Sequence, residues 1–523
     1  MPEITSAAAA EPPQTSAASE TEVFAVYGVE PEVQAYAMAK YSRSALSMKE
    51  SLREISTQKA EKFLNTFYFQ YGHRSIADLA HIALAIERLS ILAAIILVDE
   101  QRWDGQERST RYQDFRKSGY YVPDFGGDEA ARTLYRATAD FLFAEYDQMS
   151  ELIFQHLAEQ TPRPAEMKPE QYERTLRARA FDVSRYLLPL ATNTSLGQIV
   201  NARTLEGQIA RLFSSPYPEV RQLGEKLKKA AVEPAYDVAA SAARDVVEEL
   251  RARDAALAER VEATLLRPVR VAPTLVKYAD PNEYEIKTRG ELAQAAHALM
   301  AGERIETVPE VDLLDDDQPL EVELATTLLY QHCLYPYRQI QRRVAALSAA
   351  QRNEIVELGF RHRGRHDELP RAFAAGQRFR FDILMDLGGF RDMHRHRRCT
   401  QIVQPFAAGT LGYEVPAEIG AAALGHRYAA AMQRVGEAQC KLSASAPLAA
   451  HYLSPLGHRQ RALFKMDFAE ALYISELRTT PSGHYSYRRV AWEMYRAVAE
   501  RYPALARHFR VHDINAPVDL LKR

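Results

Sequence analysis

Apolar positions along this chain recur mostly at helical intervals. Ile76, Leu79, Ala80, Ala83 and Leu84 sit three or four residues apart after Gly72-His73, which predicts a helix over that stretch. Ile91 to Val98 is an unbroken apolar run with no face left for water. It reads either as domain core or as a surface between subunits. It is too short to span a bilayer, which takes roughly 18 to 20 residues. Asp237 to Leu266 is Ala-rich, with Glu249, Arg253, Glu259 and Arg260 interleaved, and predicts one long surface helix. Pro268, Pro273 and Pro281 follow it, so residues 268–281 are expected to be a linker. The run Asp315-Asp316-Asp317 before Pro319 is expected to be a solvated loop, with a metal site as the lesser alternative.

Length divides this pattern in two. A chain of 523 residues exceeds one ordinary domain, and each half can bury its own core. The expected division is a disordered tail over 1–20, a first unit over 21–267, the linker, and a second unit over 282–523. The tail is rich in Ala, Ser, Glu, Thr and Pro and lacks the basic start and apolar run of a signal peptide. A net charge of -3 argues against a general nucleic-acid binder. The three cysteines, Cys333, Cys399 and Cys440, cannot form a four-cysteine zinc site or a paired disulfide framework. A reducing cytoplasm suits them, and Cys399 reads as a small buried hydrophobe. No Gly-x-Gly-x-x-Gly loop precedes a helix, which disfavours a Rossmann flavoprotein.

The residues with the most chemical character are clustered. Arg395-His396-Arg397 places two permanent charges around an imidazole, suited to gripping phosphate oxygens or an electron-rich ring. A basic helix end is the alternative. Glu107-Arg108-Ser109-Thr110-Arg111-Tyr112 offers a hydroxyl and guanidinium cradle, or else a charged surface loop. His73, Ser75 and Asp78 can hydrogen-bond a ring and a polyol chain, or Ser75 caps a helix. The halves also echo one another. Asn201 follows Arg185 by 16 residues, as Asp467 follows His451, and Tyr186/Tyr452, Pro189/Pro455 and Leu190/Leu456 then coincide. Arg211 to Arg221 corresponds to Arg478 to Arg488 once one residue is deleted from the first half, and Val29–Val33 loosely matches Ala279–Glu283. A repeat of this period implies two copies of one fold.

The trio, with Thr400 in the serine position, resembles the Arg-His-Arg-x-x-Ser signature of flavin-dependent thymidylate synthases. The continuation Ser-x-Arg-Tyr stands apart, as Ser109-Thr110-Arg111-Tyr112 in the first half, where Asp99-Glu100-Gln101 replaces the trio. Asn201-Ala202-Arg203-Thr204-Leu205 resembles the family's Asn-x-Arg-Ser-Leu, and Glu476-Leu477-Arg478 with Gly483-His484 resembles its Leu-Arg…Ala-Gln element.

The resemblance implies a predominantly helical α+β fold in two diverged copies. It implies FAD held by Arg395, His396, Arg397, His73, Ser75, Asp78, Asn201 and Arg203. The nucleotide, dUMP or a similar pyrimidine nucleotide, would be held by Glu107, Ser109, Arg111, Arg185 and Arg478. No protein nucleophile and no metal are needed. The reaction would transfer a one-carbon unit from methylenetetrahydrofolate to C5 of dUMP, with NADPH reducing the flavin and a homodimer as the expected assembly. A non-catalytic flavin or nucleotide binder, or an enzyme acting on another pyrimidine nucleotide, is the alternative. Since each half keeps motifs that the other lacks, one seam is expected to hold a complete site and the other a degenerate one. Asp99 and Glu100 are expected to repel an anionic cofactor from the degenerate one.

Overall fold

The computed structural model describes residues 24, 26, 28–40, 48–54, 64, 74–365 and 367–521. The expected tail over 1–20 and the candidate His73 lie outside these residues.

Seven strands among the described residues form two antiparallel sheets. The first contains β1 (His81–Ser90), β2 (Asp104–Glu107) and β3 (Asn193–Asn201) in the order β1-β3-β2. The second contains β4 (Val311–Leu313), β5 (Phe379–Asp386), β6 (Thr400–Val403) and β7 (Arg459–Met466) in the order β4-β5-β7-β6. Apart from β4, the second sheet repeats the first, and helices surround both. β1 and β5 each run into a short helix, Ile91–Leu97 and Leu387–Met393. β3 and β7 each lead into a pair of helices, Ala202–Phe213 with Pro218–Val232 and Phe468–Arg478 with Tyr485–Arg501. The chain is therefore an α+β protein made of two copies of one fold.

The copies pair through the segments before β3 and β7. Pro189 bridges Pro455, Leu190 N–H donates to Ser454 O, and Leu456 N–H donates to Leu188 O, each of these bonds being 2.9 Å. This reciprocity is the local signature of a pseudo-two-fold axis. Leu92, Leu142 and Leu188 share one buried core with Phe390, Val435 and Leu456, so the copies are fused through apolar packing as well as hydrogen bonds. A smaller core joins the helices Glu283–Leu299, Leu320–Tyr330 and Tyr337–Ala345 to Ile402 and Leu463.

Three local expectations change. The apolar residues over 76–84 do not form a helix. After a 3-10 turn (Arg74–Leu79), the chain enters β1, paired with β3 from His81↔Asn201 to Ser90↔Asn193. Ile82 and Ile86 are buried two positions apart on each side of Leu84, a strand alternation that the helical spacing concealed. A bulge at Arg88, whose φ is 60°, then shifts the register. The long surface helix is two helices, Ala240–Arg251 and Ala255–Leu265, because Asp254 accepts from Leu257 N–H and restarts the helix. The acidic run is a loop as expected, but it is solvated only in part, since Asp317 is exposed and Asp315 is buried. Asp315 pairs with Arg501, Asp316 with Arg338 and Asp317 with Arg378. No group of metal ligands occurs among the described residues.

Ile91–Leu97 is core within the chain, capped by Ser90. Between Leu265 and Glu283 there is no helix or strand, yet Ala272, Leu275, Val276 and Ala279 are buried, and Glu32 accepts from the backbone N–H groups of Thr274 and Leu275. No helix among the described residues is long and apolar enough to cross a membrane.

Candidate functional site

Both strand-to-helix corners are capped by a side chain, but with exchanged chemistry. In the first copy Ser90 caps the helix and donates to Glu219 at 2.6 Å. In the second, Asp386 caps it and accepts from Ser486. The corner therefore keeps one hydroxyl and one carboxylate, whichever residue supplies each. Beyond the second corner the helix carries Arg391 and delivers Arg395, His396 and Arg397. Gly388 permits this approach, since a Cβ there would lie 3.1 Å from the Tyr186 ring.

Across the seam, the first copy presents Glu107 at the end of β2, the turn Ser109–Arg111, and Asp182 and Arg185 at the end of the helix Pro169–Ser184. Arg391 pairs with Glu107, and both side chains are buried. Burial alone would raise the Glu107 carboxyl, but Arg391 and then Arg395 hold it below its usual range. Arg185 Nη1 and Arg391 Nη1 both donate to Thr110 Oγ1, at 3.2 and 3.4 Å. Arg185 Nε and Nη2 and Arg391 Nε are buried without a hydrogen-bond partner. Two guanidinium groups sharing one hydroxyl repel each other, and each leaves at least one donor nitrogen unused. An anion beside Thr110 would relieve both costs.

Each guanidinium nitrogen of Arg111 has a partner within the protein. It donates to Asp182 (3.0 Å), to Tyr487 O–H (3.1 Å) and to Ser482 O (3.1 Å). Its role here is to clamp the copies together. Ser109 Oγ accepts from Arg111 N–H at 3.3 Å and so shapes the turn. Arg478 donates to His396 Nε2 at 2.8 Å and to Asp392 O at 2.7 Å, and His396 Nδ1 faces Glu470 at 3.4 Å.

Of the cofactor candidates, Arg397 and Asn201 line one cleft of about 270 Å³ together with His81, Arg102 and Trp103. The Arg397 guanidinium stacks 4.9 Å over the Trp103 ring, and its Nη2 is buried without a partner. Asn201 caps the helix that follows, accepting from Thr204 N–H at 2.8 Å, and Asp467 does the same for Glu470 at 2.9 Å. Asp78 lies 3.6 Å from Arg203 and 3.2 Å from Arg102 at the cleft's edge. Ser75 is exposed in the preceding turn.

The pseudo-symmetric counterpart is filled. Where the first site has Thr110, Arg185 and His484, the other seam has Phe406, His451 and Tyr217. Tyr217 shares a 2.7 Å hydrogen bond with His451 and packs edge-on against Phe406 and Tyr452. Asp99 and Glu100 are not bare anions, and Asp99 lies 3.6 Å from His394, just before the trio of the second copy. Arg371 pairs with Asp99 at 2.5 Å and Arg211 with Glu100 at 2.7 Å. Arg211 thus meets Glu100 much as Arg478 meets His396, but the acid closes the pair. Sequence reasoning passed over Thr110, Asp182 and Arg391 as site residues. Thr110 lies within a recognised motif, Asp182 three residues before Arg185 and Arg391 four before Arg395, but partners that reveal them come from the other copy.

Fold and site together define an α+β protein of two fused copies whose seam converges arginines from both on one buried position. The chain belongs to the family described as thymidylate synthase complementing protein, whose model matches residues 26–235 and 361–504. It is 26% identical over 531 residues to a UPF0159 protein of Chlamydia pneumoniae, covering 94% of this chain and 92% of that one. It is 26% identical over 180 residues to a flavin-dependent thymidylate synthase of Clostridium tetani, covering 34% of this chain and 68% of that one. A solved Thymidylate Synthase X of Helicobacter pylori with FAD and dUMP aligns with 39% of this chain and 89% of its own, at 17% identity and a TM-score of 0.26.

Proposed function

We propose that the chain is a flavin-dependent thymidylate synthase-like enzyme with one nucleotide site, at the seam where Arg185 and Arg391 share Thr110. That shared hydroxyl, with an unused buried donor on each arginine, is the observation that carries the reading. The nucleotide is dUMP or a close pyrimidine relative. Arg185, Arg391 and Thr110 bind its phosphate. Glu107, held ionised by Arg391, fixes that guanidinium from the other side.

The residues around the 270 Å³ cleft fit one end of a dinucleotide, not all of it. Arg397 offers its unpartnered donor, Trp103 a stacking face, and Asn201 and His81 line the wall. FAD, when bound and reduced by NADPH, supplies the hydride that completes one-carbon transfer from methylenetetrahydrofolate to C5 of dUMP. Arg478, oriented by His396 and Asp392 O, lies beside the trio and adds positive charge near a developing anion.

A boundary between the copies at 268–281 and a homodimeric assembly belong to the same proposal. The purified protein is expected to be yellow and to rescue a thymidine-requiring host, and Arg391→Ala to abolish rescue. A flavin-bearing protein that binds dUMP without rescue would favour the non-catalytic reading. A colourless protein with no affinity for dUMP would overturn both.

A further inference from the structure

One carboxylate oxygen at this seam gathers groups from both copies. Asp182 Oδ1 accepts from Arg111 Nε at 3.0 Å, lies 3.3 Å from Arg185 Nε, and lies 3.0 Å from His484 Nδ1. The other His484 nitrogen shares a 2.8 Å hydrogen bond with the Tyr186 hydroxyl. Asp182, Arg185, Tyr186 and His484 are all buried.

We propose that Asp182 is the positioning residue of the phosphate site and that His484 is its anchor from the second copy. This role rests on the nucleotide reading above. A guanidinium is planar, so fixing two of its nitrogens fixes the third. Thr110 holds Arg185 Nη1 by a hydrogen bond, and Asp182 Oδ1 attracts Nε from 3.3 Å as an ion pair without a hydrogen bond, which orients the guanidinium and leaves Nη2 with no partner. Arg111, held by the same oxygen, ties this arrangement to Tyr487 and Ser482 of the second copy. Tyr186 prevents the His484 ring from turning. Burial opposes ionisation of Asp182, but His484, Arg185 and Arg111 together hold its carboxyl well below the usual range.

Positioning and simple charge tuning predict opposite signs. Removing a negative charge from a cationic site strengthens anion binding if charge alone matters. Removing a positioning group weakens it. Full-length wild type, Asp182→Asn, His484→Ala and His484→Gln would be titrated calorimetrically with dUMP, deoxyuridine and inorganic phosphate. Asp182→Asn is expected to bind dUMP and phosphate at least about tenfold more weakly, with deoxyuridine affinity unchanged. His484→Ala should behave alike, and His484→Gln, which keeps a donor toward Asp182, should recover most of the loss.

If Asp182→Asn fails to fold, the His484 pair decides, since recovery by Gln requires the anchoring contact. Equal or tighter phosphate binding in Asp182→Asn, or no difference between His484→Ala and His484→Gln, would overturn the assignment. Wild type that binds phosphate but not dUMP would sink the pyrimidine-nucleotide reading while the phosphate series still tests Asp182.

Discussion

At the residue scale, the two copies differ most in how they treat the same positions. The second copy keeps Arg395-His396-Arg397, and the first has Asp99-Glu100-Gln101 closed by Arg371 and Arg211. Arg397→Ala should therefore strip flavin from the purified protein, since a charge-assisted contact contributes about 1.5–3 kcal/mol. Glu100→Ala should leave flavin content unchanged, because Arg211 retains the carbonyl of Ile96. Absorbance relative to protein concentration checks both.

Histidines give a second prediction. Burial pushes His332 and His458 down to about 4, so both are neutral in the folded chain at neutral pH. Between the unfolded value near 6.5 and a folded value near 4, the unfolded chain binds more protons. Stability from these groups is present above about pH 6.5 and is lost as pH falls toward 4. Raised carboxyls at Glu219 and Asp382 titrate in the opposite sense, again because of burial. Comparison with a variant isolates the effect: wild type should lose more melting temperature between pH 6.5 and 4.5 than His458→Gln does.

The trio, the Ser-x-Arg-Tyr segment and Arg185 were legible because they are short local patterns. Asp182 and Thr110 were not, since an aspartate in a helix and a threonine in a turn gain meaning from partners such as Arg111, Arg185 and Arg391 that the fold brings from 71, 75 and 281 residues away. Arg111 was read as a ligand of phosphate; one N–H on each of its nitrogens donates to Asp182, Tyr487 or Ser482, which leaves two of its five donors.

At the element scale, the strand-to-helix corners are the most demanding pieces. Gly389 sits where an added Cβ would lie 2.5 Å from Ser486 Oγ and 2.9 Å from Met385 Cε. Gly389→Ala should cost about 1–3 kcal/mol through overpacking and should separate Asp386 from Ser486. Chemical denaturation measures it, and an unchanged midpoint would show that the corner adapts. The element sequence was only partly readable. The helix Ile91–Leu97 was visible as an apolar run, but β1 was hidden because its inward residues also satisfy helical spacing. Pairing with β3, more than a hundred residues later, settles the choice, and tertiary pairing outweighs local propensity in strands.

At the scale of the whole molecule, duplication created two seams of different fate. One collects Glu107, Arg185, Arg391 and Arg478. The other is packed with Tyr217, Phe406, His451 and Tyr452. Complementary motif loss in the two halves leads to the expectation of one complete and one degenerate seam, and aromatic rings pack the seam expected to be degenerate. A second chain would add a second complete seam, so the proposed homodimer carries two sites. Light scattering at micromolar concentration should give twice the chain mass, and a single-chain mass with flavin bound would contradict this.

The most direct measurement is a calorimetric titration of dUMP into the full-length protein, read as sites per chain. The account predicts one site per chain, retained in Tyr217→Phe at the filled seam and weakened at least about tenfold in Arg391→Ala. Two sites per chain, or dUMP binding equally strong in Arg391→Ala and wild type, would contradict it.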